Sequence, residues 1–145
     1  MKAGIEEMAT DSQFLFVYGT LMGAAVSDYG RDMRERLHRE SRSYGPATMQ
    51  GRLYDLGSYP GLVGSADPGD LVQGEVVRLA DPDAVFGWLD AYEGIVRGRA
   101  GNEYERVLAA ARLHGGTLVS AYVYRYVQDL SAARWLPEGR WSATL

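Results

Sequence analysis

A chain of 145 residues, 46% of them hydrophobic and 23% charged, fits one globular domain and lies outside the composition of disordered chains. At this length folding buries roughly 68–70% of the unfolded surface, enough for a core without disulfides or a structural metal. Fifteen basic and nineteen acidic side chains leave a formal net charge of -4, which offers no field to attract a nucleic-acid backbone, so no nucleic acid is expected as a partner.

A complete lack of cysteine removes disulfides, thiolate nucleophiles and zinc-thiolate sites together, and it fits a reducing cytoplasm, the expected location. The two histidines, His38 and His114, are too few for a three-histidine metal site. His38 falls in the charged run Arg34 to Arg42 and His114 directly precedes Gly115-Gly116, so a solvated helix face and a turn are their expected settings. No stretch approaches the roughly 18 apolar residues of a membrane span, and the start MKAGIEEMATDSQ lacks a signal peptide's apolar centre; neither membrane nor metal is expected.

Residues 1–12 mix charged and small side chains without a period and read as a flexible extension, with Met8 available as an alternative start, ahead of a single domain over 13–145. Phe14 to Tyr18 form a short continuous apolar run ended by Gly19, the pattern of a central strand buried on both faces. From Asp28 to about Glu40 the residues suit a surface helix whose narrow apolar stripe is Tyr29, Met33 and Leu37. Between Tyr44 and Val77, glycines and prolines punctuate short apolar pieces; Gly51 to Leu56 and Leu71 to Leu79 read as strands, and Gly57 to Gly69 as a loop.

Asp81-Pro82-Asp83-Ala84 opens a helix, with Asp81 as cap, Pro82 at the first helical position and acid at the positive dipole end. Val85, Trp88, Leu89 and Tyr92 give it one apolar face, and Gly94 ends it. Tyr104 to Leu113 and Thr117 to Val127 read as an antiparallel hairpin turning through His114-Gly115-Gly116. The order strand, helix, strands, helix, hairpin predicts a mixed α+β domain with a largely antiparallel sheet, open or curled into a barrel.

Two places hold candidate chemistry. Tyr18-Gly19-Thr20-Leu21 leaves the buried strand abruptly, and a turn of that kind exposes backbone amides that can cradle a carboxylate or an oxyanion; a tight turn that glycine merely permits is the other reading. Glu93 falls at the last turn of the helix that begins at Pro82, where the negative dipole end disfavours an anion and raises its basicity toward that of a general base. A solvated glutamate neutralised by Arg97 and Arg99 is the alternative. Tyr122, Tyr124 and Tyr126 share one strand face, either to line a pocket or to pack across the sheet.

Together FLFVYGTLM, RLYDLGSYPGLV, LDAYEG, YERV and AYVYRY, over about residues 14–127, resemble the gamma-glutamylcyclotransferase-like family, and most closely its gamma-glutamylamine cyclotransferase branch. That resemblance implies an α+β fold with a small mixed β-barrel and flanking helices. It implies an enzyme that converts a gamma-glutamyl amine or amide to 5-oxoproline and a free amine, with Tyr18, Gly19, Thr20 and Leu21 binding substrate and Glu93 as the base. No cofactor is required for that chemistry, and the implied partner is the small-molecule substrate. Residues Ile95 to Asn102 form a longer, more basic connection than the family pattern leads one to expect, and the piece after Val127, with Trp135, Pro137 and Trp141, has no counterpart in it. A non-catalytic binding module for an amino-acid-like ligand is the rival reading, since fold does not dictate activity.

Overall fold

In the computed structural model the described residues are 12–19 and 30–141. They form β1 (Phe14–Val17), α1 (Arg31–Arg39), β2 (Ser41–Gln50), β3 (Arg52–Asp55), β4 (Pro60–Val63), β5 (Leu71–Leu79), α2 (Pro82–Tyr92), β6 (Tyr104–Leu113), β7 (Leu118–Tyr126) and β8 (Arg134–Leu136). The sheet runs β1-β5-β2-β6-β7, and β1 pairs back onto β7, closing a five-stranded barrel; β4, β3 and β8 extend it from β7. The β1–β7 and β4–β7 pairings are parallel and the others antiparallel, so the barrel is mixed.

Alternation along the strands divides the apolar residues into two cores. Phe16, Ala47, Met49, Val72, Val76, Ala111, Ala121 and Val123 come from all five barrel strands and fill the interior. Leu15, Val17, Val77 and Leu79 point outward, where Leu37 of α1 and Val85, Phe86 and Leu89 of α2 cover them. The unbroken apolar run of β1 follows from this placement, because each of its faces meets a core. β1 is central in that sense, flanked by β5 and β7 in a ring that has no middle strand.

α1 begins after Gly30, which adopts φ 77, and it buries Leu37 while His38 faces solvent. Asp28 and Tyr29, expected at its start, lie outside the described residues, as do residues 1–11 of the expected extension. Ser12 is tied to the barrel: its hydroxyl donates to Ser120 O at 2.6 Å. α2 matches its expected signals closely. Asp81 accepts from Ala84 N at 3.2 Å, Pro82 occupies the first turn, and Gly94 follows the helix at φ 78. The hairpin likewise turns where expected, with Gly116 at φ 99 and His114 exposed.

Two expectations are corrected. The segment Gly57 to Gly69 is not all loop, because Pro60–Val63 forms β4 between β3 and β7. Proline is harmless at the first position of a strand, and Gly61 is needed there because a Cβ would stand 2.8 Å from Tyr126 Cβ. Ser41–Gln50 is one ten-residue strand rather than short pieces, since Gly45, at φ 95, marks a register shift that lets Pro46 follow without ending the pairing. The C-terminal piece adds β8, and Arg52 lies 4.5 Å over the Trp135 ring.

Closure depends on one close approach. A Cβ at Gly74 would stand 2.4 Å from Val17 O and 2.6 Å from Phe16 Cζ, so β5 carries no side chain where β1 crosses it. Gly74→Ala should therefore destabilise the fold by about 1–3 kcal/mol through overpacking, read as a lower urea midpoint at unchanged slope. An unchanged midpoint would show that the barrel relaxes freely at that crossing.

Candidate active site

The motifs separated in sequence meet at one end of the barrel. A cavity of about 170 Å³ is lined by Tyr18 and Gly19 as β1 ends, Tyr59 and Pro60 entering β4, Tyr92, Glu93 and Gly94 closing α2, Glu103 and Tyr104 entering β6, and Tyr124 on β7. It lies below the roughly 300–1,000 Å³ of pockets for drug-sized ligands and suits a small organic group. Thr20 and Leu21, the rest of the expected loop, lie outside the described residues.

Glu93 reaches the cavity because the helix stops in a defined way. Gly94 N donates to Ala91 O at 3.0 Å and Ile95 N donates to Asp90 O at 2.9 Å, the pair of reverse bonds that a left-handed glycine after the cap permits. Glu93 is the cap residue of that turn. Farther back in the same turn, Asp90 accepts two bonds from Arg106, at 2.9 and 3.1 Å, and one from the Tyr124 hydroxyl at 2.6 Å. These three bonds pin the end of α2 to β6 and β7. The Arg106 guanidinium also lies 3.9 Å over the Phe86 ring and 4.9 Å from Tyr122, so its apolar faces are covered as well.

Burial raises the Glu93 carboxyl from its ordinary 4.5 to about 7, and the negative charges of Glu103 and Asp90 add to the shift. Among the described residues nothing donates a hydrogen bond to it. Arg99, one of the two cations expected to neutralise it, instead donates to Gly94 O at 3.0 Å and to Asn102 Oδ1. Arg97, the other, lines a separate surface depression beside Asp83 and Arg106. The solvated, neutralised glutamate is thus not what the structure contains. Desolvation, not the helix dipole, is the main cause of its raised basicity.

Three tyrosines build the remaining wall, and burial pushes each phenol well above its ordinary value. The Tyr18 hydroxyl donates to Tyr124 O at 2.5 Å and accepts from Leu62 N at 3.3 Å, which leaves its ring to shape the cavity. Tyr104 donates to Pro60 O at 2.8 Å. Tyr124 both lines the cavity and pairs across the sheet, opposite Arg106; Tyr122 packs on Phe86 at 5.0 Å and Tyr126 on Tyr104 at 5.6 Å. Both readings of the tyrosine ladder are therefore realised, at different rungs. Gly19 has no left-handed φ, contrary to the permissive-turn expectation. What it needs is space, since a Cβ would stand 2.8 Å from Pro60 Cγ.

Sequence reasoning missed Asp90, Arg106, Tyr59 and Glu103. The signal for the first two was present: Asp90 and Glu93 are spaced i, i+3 in LDAYEG, and Tyr104 and Arg106 share a strand face in YERV.

A family model described as gamma-glutamyl cyclotransferase, AIG2-like, matches residues 15–143. No curated protein sequence matches the chain. Among solved structures, YkqA from Bacillus subtilis is similar with a TM-score of 0.64 at 20% identity, over 90% of this chain and 40% of that one. An AIG2-like protein from Mus musculus matches with a TM-score of 0.60 at 18% identity, over 92% of this chain and 97% of that one. The protein ytfP from Escherichia coli matches with a TM-score of 0.56 at 30% identity, over 88% of this chain and 95% of that one. The chain thus spans well under half the length of YkqA.

Asp90→Asn should cost about 1–3 kcal/mol, because it leaves the half-buried Arg106 without its anion; a urea midpoint within error of wild type would contradict the clamp. The raised basicity of Glu93 makes a prediction of definite sign. Between pH 4.5 and about 7 the folded state binds more protons at Glu93 than the unfolded state, so wild-type stability falls as pH rises through that window. Glu93→Gln lacks this fall. Its stability relative to wild type should increase between pH 4.5 and 8 by up to about 3 kcal/mol, measured by urea unfolding at both pH values; a pH-independent difference would contradict the shift.

Proposed function

The chain belongs to the gamma-glutamyl cyclotransferase, AIG2-like family, and on that premise we propose that it converts a gamma-glutamyl amine or amide to 5-oxoproline and a free amine. The observation that carries the proposal is Glu93: a carboxyl with a pKa of about 7 and no hydrogen-bond donor among the described residues, lining the same small cavity as Tyr18 and Gly19.

In this reading Glu93 takes a proton from the substrate α-ammonium, and the freed nitrogen attacks the γ-carbonyl carbon of the same molecule. Ring closure puts a negative charge on the carbonyl oxygen. The backbone amides that follow β1, at Gly19, Thr20 and Leu21, stabilise that oxyanion or hold the α-carboxylate. Collapse reforms the carbonyl and breaks the bond to the leaving nitrogen. The two protons shed by the attacking nitrogen end on the leaving nitrogen, the first passing through Glu93, so no water is consumed and the products together have the atoms of the substrate. Because nucleophile and electrophile are joined, holding the glutamyl chain in its cyclic conformer supplies much of the rate, up to about 7–11 kcal/mol for well-oriented groups. The walls that hold it are rigid: the Tyr18 and Tyr104 hydroxyls are bonded to backbone and the Tyr124 hydroxyl to Asp90.

The same reading takes residues 13–145 as one catalytic domain and the cytoplasm as its location, consistent with a sequence without cysteine. Among the described residues no helix is long and apolar enough to cross a membrane.

Release of 5-oxoproline from a panel of gamma-glutamyl amines and dipeptides tests the proposal. kcat/KM should rise with pH and level off above about 7 as Glu93 loses its proton. Glu93→Gln keeps the shape but cannot accept a proton, so kcat should fall about 10²–10⁴-fold while substrate still binds. Gly19→Val should lose turnover because its side chain meets Pro60. Binding without turnover across the panel in wild type would instead support the binding module, and full turnover in Glu93→Gln would remove Glu93 as the base.

A further inference from the structure

The cavity mouth has an unbalanced charge. Among the described residues that line it, Glu93 and Glu103 are acidic and none is basic. The segment 20–29 that follows Gly19 contains no lysine, arginine or histidine, so its sequence supplies no cation either. The Arg99 guanidinium bonds the lining residue Gly94 at its carbonyl and is also engaged by Asn102 Oδ1. Arg106 is engaged by Asp90.

Glu103 is not a loose surface acid. It directly precedes β6, its carbonyl accepts from Val127 N at 2.8 Å, and the Tyr59 hydroxyl lies 3.1 Å from both carboxylate oxygens. Tyr59 in turn lines the cavity and packs 6.4 Å from Tyr104. Glu103 is exposed while Glu93 is the more enclosed, so the two acids mark an outer and an inner position along one cavity. The Tyr126 phenol is lifted by burial first, then by the negative charges of Glu103 and Asp129, so two acids act on this one tyrosine.

We propose that Glu103, held by Tyr59, selects substrates whose leaving amine carries a second positive charge, of the diamine class, over neutral amines and over amino acids with a free carboxylate. This inference rests on the cyclotransferase reading for its geometry. The gamma-glutamyl end lies at Glu93, and the leaving chain extends outward past Glu103. A second ammonium on that chain gains a charge-assisted hydrogen bond there. A carboxylate on the same chain meets like charge from Glu103 with no cation among the described lining residues to offset it, which penalises it by the repulsion that specificity commonly uses.

The test uses three gamma-glutamyl conjugates of similar length, with 1,4-diaminobutane, n-pentylamine or 4-aminobutyrate as the leaving amine. Wild-type kcat/KM at low ionic strength should follow the order cationic, neutral, anionic, with about two- to fivefold between steps, as befits a charge at a solvent-exposed rim. Raising ionic strength from about 0.01 to 1 M should compress the order, because the screening length falls from about 30 to 3 Å. Glu103→Gln should bring the cationic-to-neutral ratio close to one, and Glu103→Asp should restore part of it. Tyr59→Phe should narrow the ratio with Glu103 still in place. Equal wild-type rates for the three conjugates, a preference for the anionic one, or discrimination that survives in Glu103→Gln would overturn the assignment. If none of the three is turned over, the cyclotransferase reading fails separately. Calorimetric affinities of the same conjugates then decide the role of Glu103, because the same order and the same loss in Glu103→Gln are required of binding, and equal affinities overturn it.

Discussion

The bidentate contact between Arg106 on β6 and Asp90 in the last turn of α2 is the interaction on which the site depends. α2 packs on the outside of the barrel through Val85, Phe86 and Leu89, an apolar contact that fixes its distance but only loosely its rotation and axial position. Two parallel hydrogen bonds from a planar guanidinium to a carboxylate supply the missing geometric restraint. The Tyr124 hydroxyl adds a third bond to the same carboxylate, and Tyr124 itself is a wall of the cavity. One carboxylate thereby registers helix, sheet and pocket together. Glu93 lies three residues on, so its position is inherited from that register.

The magnitudes also decide why Glu93 is basic. A helix C-terminus disfavours an anion by about 0.3–1 kcal/mol. Moving a carboxyl from 4.5 to about 7 corresponds to roughly 3 kcal/mol at 1.36 kcal/mol per pH unit, several times more. Burial in the tyrosine-lined wall provides the larger part, with Glu103 and Asp90 adding like charge. Asp90 therefore acts twice, positioning Glu93 mechanically and raising its proton affinity electrostatically. Glu103, one of the two charges that add to the basicity of Glu93, is also the acid proposed to favour a cationic leaving amine.

Much of the scaffold was legible in the sequence because its signals are local. β1 shows as an unbroken apolar run since it touches both cores. α2 shows through Asp81-Pro82 at one end and Gly94 at the other, and the β6–β7 hairpin shows through Gly115-Gly116. What stayed hidden was set by partners distant in the chain. β4 looked like loop because Gly61 reads as a turn residue, whereas its glycine answers the close approach of Tyr126 from another strand. Gly19 misled for the same reason, being small for Pro60 rather than for its own backbone. Glu93 was found, but for a cause the structure replaces, since burial is invisible without the wall that produces it. Asp90 and Arg106 sit in the recognisable motifs LDAYEG and YERV, yet nothing in either segment says that they meet.

The proposed chemistry requires the Glu93 carboxyl to change charge near neutral pH. The carbon-13 chemical shift of the Glu93 side-chain carboxyl, followed by NMR across pH 3 to 9 and assigned by its absence in Glu93→Gln, measures that directly. The expected midpoint is near 7. A midpoint at the ordinary 4.5 would show Glu93 to be a solvated carboxylate throughout the neutral range and would contradict both the burial argument and its role as the base.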